Sequence, residues 1–226
     1  MIIDKVYIIN LQHRIDRREN ITKELKRVGI ENYEFFNAIQ ATEEDLKTWN
    51  KNYIKDIPEW FKKTNGDENK YRLGSLGCML SHYKIIEKCL EKKYTNVLIL
   101  EDDTEFTFPN VKNFDTFMNI INPQIKNLDF GLLYLTGNHA TNKFIKHSNN
   151  IAKINNTFTT GSYIVNTSIM EYIVKNMKGY NREVDVYYSE ILQKSFPCFC
   201  IMPHIAKQGK SFSDIVQMEV NYNLNK

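Results

Sequence analysis

Glu101, Asp102 and Asp103 stand together at the end of the apolar run Val97-Leu98-Ile99-Leu100. Such a run reads as a buried strand, and three carboxylates at its end must emerge where water, a cation or a ligand compensates them. Side chains alternate along an extended chain, so Glu101 and Asp103 are expected on one side and Asp102 on the other. Two carboxylates on one side can share a divalent cation. Hard oxygen ligands suit Mg²⁺ or Mn²⁺, held between carboxylates and the phosphates of a substrate. The competing reading is a helix N-terminus, where acidic residues are favoured by the dipole alone.

Two further groups carry chemical potential. Asn10, Arg14, Asp16, Arg17 and Arg18 follow the first apolar run of the chain. The arginine fork matches phosphate oxygens, so Arg14 and Arg17 read equally as a pyrophosphate clamp or as a solvated first helical turn, and Arg18 as the latter. Residues 74–82, Gly-Ser-Leu-Gly-Cys-Met-Leu-Ser-His, combine two glycines with the hydroxyls of Ser75 and Ser81. Glycines admit a ligand close to the backbone and a helix N-terminus welcomes an anion, although the lysine and spacing of a P-loop are missing. His82 borders an apolar stripe, which also fits a half-buried structural histidine.

The elements that must position these residues alternate. Residues 5–11 form a strand, Asp16 and Glu19 have the spacing of a capping box, and Ile21, Leu25 and Val28 give a helical stripe that Gly29 ends. A short strand at 33–36 completes a βαβ unit and predicts a sheet with parallel strands and helices on its faces. Residues 41–73 are polar and lysine-rich, with Trp49, Pro58, Trp60 and the turn Asn65-Gly66-Asp67, and read as a lid or insertion. A helix is expected from Ser75 through Leu90, then a strand to Leu100 that delivers the carboxylates at its C-terminal end, where α/β sheets bind ligands. Strands are expected at 128–135, 158–165 and 198–202, and a helix capped by Ser168 and Glu171 runs to Gly179.

The chain has 226 residues and fits one domain, 1–226. A formal net charge of +3 argues against a dedicated nucleic-acid binder. The charged start Met1-Ile2-Ile3-Asp4-Lys5 is unlike a secretory signal, and no run reaches the roughly 18 apolar residues of a membrane span, so a soluble cytoplasmic protein is expected. Cys78 and Cys89, eleven residues apart on one predicted helix, lie about 16 Å apart and cannot bridge. With Cys198 and Cys200 they read as reduced, mostly buried thiols.

Taken together, Asn10-Leu11 with Arg14, Asp16 and Arg17, residues 74–82, and Leu100-Glu101-Asp102-Asp103 resemble glycosyltransferase family 25. That family contains bacterial lipooligosaccharide and procollagen hydroxylysine galactosyltransferases. Residues 160–165, Val184-Asp185, Pro203, Gln208 and Ser213-Asp214-Ile215 follow in the order usual for the family, so the resemblance runs from Lys5 to Ile215. Residues 41–73 and Asn138-His139 depart from it. The resemblance implies a GT-A type, Rossmann-like nucleotide-sugar-binding α/β fold with a mixed sheet flanked by helices. It implies Mn²⁺ (or Mg²⁺) and a UDP-sugar donor, with galactose or glucose passed to a hydroxyl of a glycan or hydroxylated lysine. Asp103 would ligate the metal and Glu101 would contact it, its waters or the ribose. Asn10, Arg14, Arg17, Ser81, His82, Glu101 and Asp102 would line the donor. An inverting displacement needs a further base, for which Asp185 is the candidate against a role as helix cap, with Glu190 in reserve. His204 would be a third metal ligand, against a structural histidine at a strand end. A nucleotide-sugar-binding pseudoenzyme and a two-metal nucleotidyl- or phosphotransferase are the alternatives, the latter requiring a second acidic cluster about 4 Å from the first.

Overall fold

Strand alternation explains how one sheet serves two layers of helices. Tyr7 and Ile9 of the first strand belong to one apolar cluster and Val6 and Ile8 to the other; Val97 and Ile99 are likewise opposed to Leu98 and Leu100. The protein is described by a computed structural model over residues 3–108, 113–140 and 144–220. In chain order its strands are β1 (Lys5–Asn10), β2 (Tyr33–Asn37), β3 (Asn96–Glu101), β4 (Thr104–Phe106), β5 (Leu132–Tyr134), β6 (Asn138–His139) and β7 (Ile145–Lys146). They continue as β8 (Ile151–Lys153), β9 (Thr157–Phe158), β10 (Ser162–Asn166), β11 (Cys198–Ile201), β12 (Ala206–Gln208), β13 (Ser211–Ser213) and β14 (Met218–Val220). The helices are α1 (Ile15–Val28), α2 (Glu43–Asn50), α3 (Glu59–Lys62), α4 (Glu68–Glu91), α5 (Phe114–Ile125), α6 (Thr167–Asn176), α7 (Val184–Tyr187) and α8 (Gln193–Ser195), with a π-turn over Tyr188–Leu192 between the last two.

The main sheet has eight strands in the order β2-β1-β3-β10-β5-β11-β8-β7. β1 is parallel to β2 and β3, β10 is antiparallel to β3 and β5, and β11 is parallel to β5. It is thus a mixed sheet flanked by helices. Leu76 and Met79 of α4 and Ile169 and Ile173 of α6 cover one face; Ile21 and Leu25 of α1 and Phe117 and Ile121 of α5 cover the other. Because β3, β5 and β11 point the same way, their C-terminal ends open on one edge of the sheet.

Several local expectations are corrected. α1 begins after Arg14 with no side-chain cap, and Asp16, inside the first turn, binds Arg14 instead of closing a capping box with Glu19. α4 begins at Glu68, where the Asp67 carboxylate accepts from the Asn69 and Lys70 N–H groups at 2.9 and 3.1 Å. Residues 74–82 therefore lie inside a helix and offer no N-terminal amides to an anion. Gly77 serves packing: a Cβ there would meet the Ile39 carbonyl oxygen at 2.2 Å. Ser81 completes that junction by accepting from Ile39 N–H at 2.8 Å and donating to the Gly77 carbonyl at 2.7 Å. Residues 41–73, expected as a lid or insertion, form α2, α3 and the start of α4, and they bury Leu46, Trp49, Tyr53, Ile57, Phe61 and Tyr71 in the core. α5 was not among the expected elements. No helix among the described residues is long and apolar enough to cross a membrane.

Candidate active site

β3 ends at Glu101, and Asp102 and Asp103 form the turn that leads into β4. Strand alternation therefore stops before the acidic triplet ends, and Asp102 and Asp103 approach a common cation, Arg17 of α1. Arg17 Nη1 lies 2.7 Å from Asp102 Oδ1 and 3.7 Å from Asp103 Oδ2. Asn10, at the end of β1, donates to the other Asp102 oxygen at 2.7 Å. With both oxygens occupied, Asp102 is a buried brace between β1, α1 and the acidic turn. Burial still raises its carboxyl above the ordinary value against the pull of Arg17 and Asn10.

Glu101 is held differently. It accepts from Thr160 Oγ1 at 3.1 Å and from Gln208 Nε2 at 3.3 Å, and His82 Nε2 lies 3.7 Å from it. Burial raises its carboxyl, but His82 and Thr160 outweigh burial and hold it below the usual range. Behind it, His82 Nδ1 meets the Tyr163 hydroxyl at 2.8 Å, and Tyr163 meets the Tyr188 hydroxyl at 2.9 Å. The imidazole is fully buried. This chain of polar groups fixes the ring beside the carboxylate, so the buried His82 faces Glu101 and no open surface.

Asp103 is shifted in the opposite direction. Burial first, and then the charge of Glu101, push its carboxyl up to about 7 despite Arg17. Its Oδ1 is buried without a hydrogen-bond partner, as are Gln208 Oε1 and Asn10 Oδ1. Unpartnered buried oxygens cost free energy, and oxygen donors of this kind are what Mn²⁺ or Mg²⁺ requires. Glu101, Asp103 and the neutral Gln208 offer the oxygen donors that a hard divalent cation takes, while the ligand atoms grouped with Glu101 within 4.8 Å are those of Cys78 and His82.

Asp185 sits in the first turn of α7, accepting from Thr159 N–H at 3.2 Å and from Val186 N–H at 2.9 Å. Thr159 has φ +72°, a left-handed conformation that costs a β-branched residue on the order of 1–3 kcal/mol. This turn sends the Thr159 amide to Asp185 while the next side chain, Thr160, reaches Glu101. Burial raises the Asp185 carboxyl, opposed by the Thr159 amide. Glu101, Asp185 and Asp103 all act on Cys78, whose thiol burial and these three charges push far up. Asp185 thus shares the electrostatic environment of the acidic turn.

Other expected site residues are placed elsewhere or engaged. Arg14 binds Asp214 at 2.6 Å and Asp16 at 2.9 Å, which raises its already high value further through the Asp16 bond and lowers Asp16 to about 2. Both Arg14 and Arg17 also reach the Phe212 carbonyl, so the segment after β12 leans over the arginines. Ser81 is consumed by the backbone contacts described above. Glu190 is exposed, bound to the Tyr180 hydroxyl at 3.1 Å and 3.6 Å from Arg182. His204 groups with His139 and Cys200 instead of with Asp103. Thr160 and Gln208, both in segments that carry the family resemblance, were not among the expected site residues; each reaches Glu101 from a distant part of the chain, and neither has a local pattern that would single it out.

The fold and this acidic edge belong to a recognisable class. A profile of glycosyltransferase family 25 (LPS biosynthesis protein) matches residues 3–188, and the chain belongs to that family. Among its relatives, procollagen galactosyltransferase 1-A of Xenopus laevis is 29% identical over 135 residues, covering 60% of this chain and 21% of the relative. A putative glycosyltransferase, R655, of Acanthamoeba polyphaga mimivirus is 37% identical over 121 residues, covering 53% and 34%. The matched region is about a fifth of the first of these relatives and a third of the second. Among solved structures, UDP-glucose pyrophosphorylase complexed with UDP-glucose superposes with a TM-score of 0.43 at 9% identity, covering 94% of this chain and 76% of that one.

Proposed function

We propose that the chain transfers a hexose, galactose or glucose, from a UDP-sugar to a hydroxyl of a glycan or a hydroxylated lysine, with inversion at the anomeric carbon and dependence on Mn²⁺ or Mg²⁺. The observation that carries this reading is the Glu101/Asp103 pair of a family 25 chain, with Asp103 Oδ1 buried and unpartnered. Bound there, the cation would neutralise charge that develops on the leaving diphosphate. Glu101, kept ionised by His82 and Thr160, and Asp103, once it gives up its proton, would hold it. Arg17 braces the acidic turn through Asp102 and presents positive charge beside the position of the phosphates. Asp185, with its raised carboxyl in the same charged environment, would take the proton of the acceptor hydroxyl. Donor contacts of the GT-A type at the edge formed by the ends of β1 and β3 complete the proposal, with the chain acting as one domain.

The competing readings draw less support. Asp185 feels the charge of Glu101, as a base placed inside the cleft would, whereas a merely binding domain needs no such carboxylate. A two-metal transferase needs a second carboxylate cluster; the two groups of three potential ligands among the described residues contain at most one carboxylate each. The test is a screen of UDP-sugars against glycan and hydroxylysine acceptors with Mn²⁺, reading the anomeric configuration of the product by NMR. An inverted product from a UDP-hexose supports the proposal, and a retained configuration or transfer of the nucleotidyl group overturns it.

A further inference from the structure

On the same edge of the sheet, away from the acidic turn, two histidines point their distal nitrogens at one another. His139 Nε2 and His204 Nε2 are 2.9 Å apart. His139 is on β6, after β5, and His204 follows β11, so the two come from the ends of neighbouring parallel strands. Their other nitrogens face hydroxyls: His139 Nδ1 lies 2.6 Å from Thr157 Oγ1, and His204 Nδ1 lies 3.5 Å from Thr136 Oγ1. Cys200 joins them. Its thiol and the two imidazole nitrogens all lie within 4.8 Å of one another, with Cys200 fully buried and both histidines half-buried. In the sheet order β3-β10-β5-β11, these strand ends are two and three strands from Glu101, hence about 10–15 Å away at the usual strand spacing.

We propose that His139, His204 and Cys200 form a second metal site, an N₂S site for a borderline-soft divalent ion of the zinc class. Imidazole and thiolate select such an ion over Mn²⁺ or Mg²⁺, which prefer oxygen. Ligating histidines commonly have the other ring nitrogen oriented by an outer partner, and the Thr157 and Thr136 hydroxyls stand where such partners belong. Zn–N bonds of about 2.0–2.1 Å in tetrahedral geometry set the two nitrogens about 3.3 Å apart, a few tenths of an ångström wider than observed. Burial keeps the Cys200 thiol protonated. Binding through both Nε2 atoms moves the proton they share to an Nδ1 of the same ring, forms one metal–sulfur and two metal–nitrogen bonds, breaks the S–H bond and releases the thiol proton to solvent. Three protein ligands leave a fourth position to water, and the bound ion would tie the β6–β9 pair to the end of β11 beside the candidate active site.

The test uses the full chain, stripped with chelator, reloaded with Zn²⁺ and dialysed, with metal content measured by mass spectrometry. One zinc per chain is expected in the wild type and equally in Asp103→Asn, which separates this site from the acidic turn. In Cys200→Ser and His204→Gln, zinc affinity falls at least tenfold. Replacement by Co²⁺ gives the wild type a thiolate-to-cobalt charge-transfer band in the near ultraviolet, which Cys200→Ser lacks. Melting of each variant without metal checks folding, and His139→Gln, on the two-stranded β6–β9 sheet, supplies a substitution outside the main sheet. A wild-type chain that retains no zinc, or zinc retention that survives both Cys200→Ser and His139→Gln, overturns the proposal and leaves the two imidazoles as a simple hydrogen-bonded pair. Loss of zinc in Asp103→Asn would overturn it as well.

Discussion

Replacing Asp103 with asparagine should change how the stability of the chain depends on pH. The Asp103 carboxyl, pushed from 3.8 up to about 7 by burial and by Glu101, binds a proton in the native state over a range where the unfolded chain has released it. Between those values the native state holds more protons than the unfolded state, so stability falls as pH rises from about 4 to about 7 and changes no further through this group above that. The span corresponds to as much as about 4 kcal/mol, and the side chain is only 9% exposed, so little of it is lost to solvent screening. For a chain of this length, about 1 kcal/mol moves the melting temperature by roughly 2–4 °C, so the effect is well within reach of calorimetry. Asp103→Asn keeps the shape and cannot titrate. The wild-type minus variant difference in melting temperature should decline from pH 4 to pH 7 in the presence of chelator. Saturating Mn²⁺, which binds only the ionised carboxylate, should restore wild-type stability above pH 7 and leave the variant unmoved. Parallel pH profiles for the two proteins, or equal stabilisation of both by Mn²⁺, would refute the reasoning.

Four further outcomes follow from particular contacts. Arg17→Ala should lower unfolding free energy by about 3–5 kcal/mol in denaturant titration, because it strands the buried Asp102 carboxylate without its cation. It should also weaken UDP binding by roughly 1.5–3 kcal/mol, whereas Arg14→Ala, whose guanidinium is shared with Asp16 and Asp214, should do so only if that pairing opens on binding; calorimetry reads both. Gly77→Ala should cost about 1–3 kcal/mol or more, since the added methyl would sit 2.2 Å from the Ile39 carbonyl oxygen and must push α4 away from the segment after β2; a melting temperature equal to wild type would show that α4 shifts freely. Asp185→Asn should preserve donor and Mn²⁺ affinity while reducing transfer by about 10² to 10⁴, and wild-type transfer would remove Asp185 as the base.

The parts of the fold legible in the sequence were those where periodicity and burial agree. β1, β3, β10 and β11 are continuous apolar runs because they are covered on both faces, and α1 shows its stripe at Ile21, Leu25 and Val28 because only one face is buried. Placing the acidic triplet at the end of a central strand followed from the same pattern. What failed were features decided by distant partners. Asp16 has the spacing of a capping residue but finds Arg14, and Arg14 finds Asp214, two hundred residues away, which no local pattern can show. Residues 74–82 read as a ligand-binding helix N-terminus because, at Gly77, a close approach to a ligand and a close approach to the Ile39 carbonyl ask for the same missing Cβ. Residues 41–73, read as a lid or insertion, hide behind their charge how regularly Trp49, Tyr53, Phe61 and Tyr71 turn inward. Within the site, the strand ends at Glu101, so the approach of both Asp102 and Asp103 to Arg17 is set by the turn and not by strand alternation. His204 was drawn to His139 by the parallel pairing of β5 and β11, a register that the sequence does not display.

The most direct measurement is calorimetric titration of UDP into the wild type and into Asp103→Asn, each with Mn²⁺ and with chelator. The wild type should bind UDP in the presence of Mn²⁺ and at least tenfold more weakly in chelator, while Asp103→Asn should bind weakly in both. Equal UDP affinity in all four titrations would contradict a cation held by Glu101 and Asp103 against the donor diphosphate.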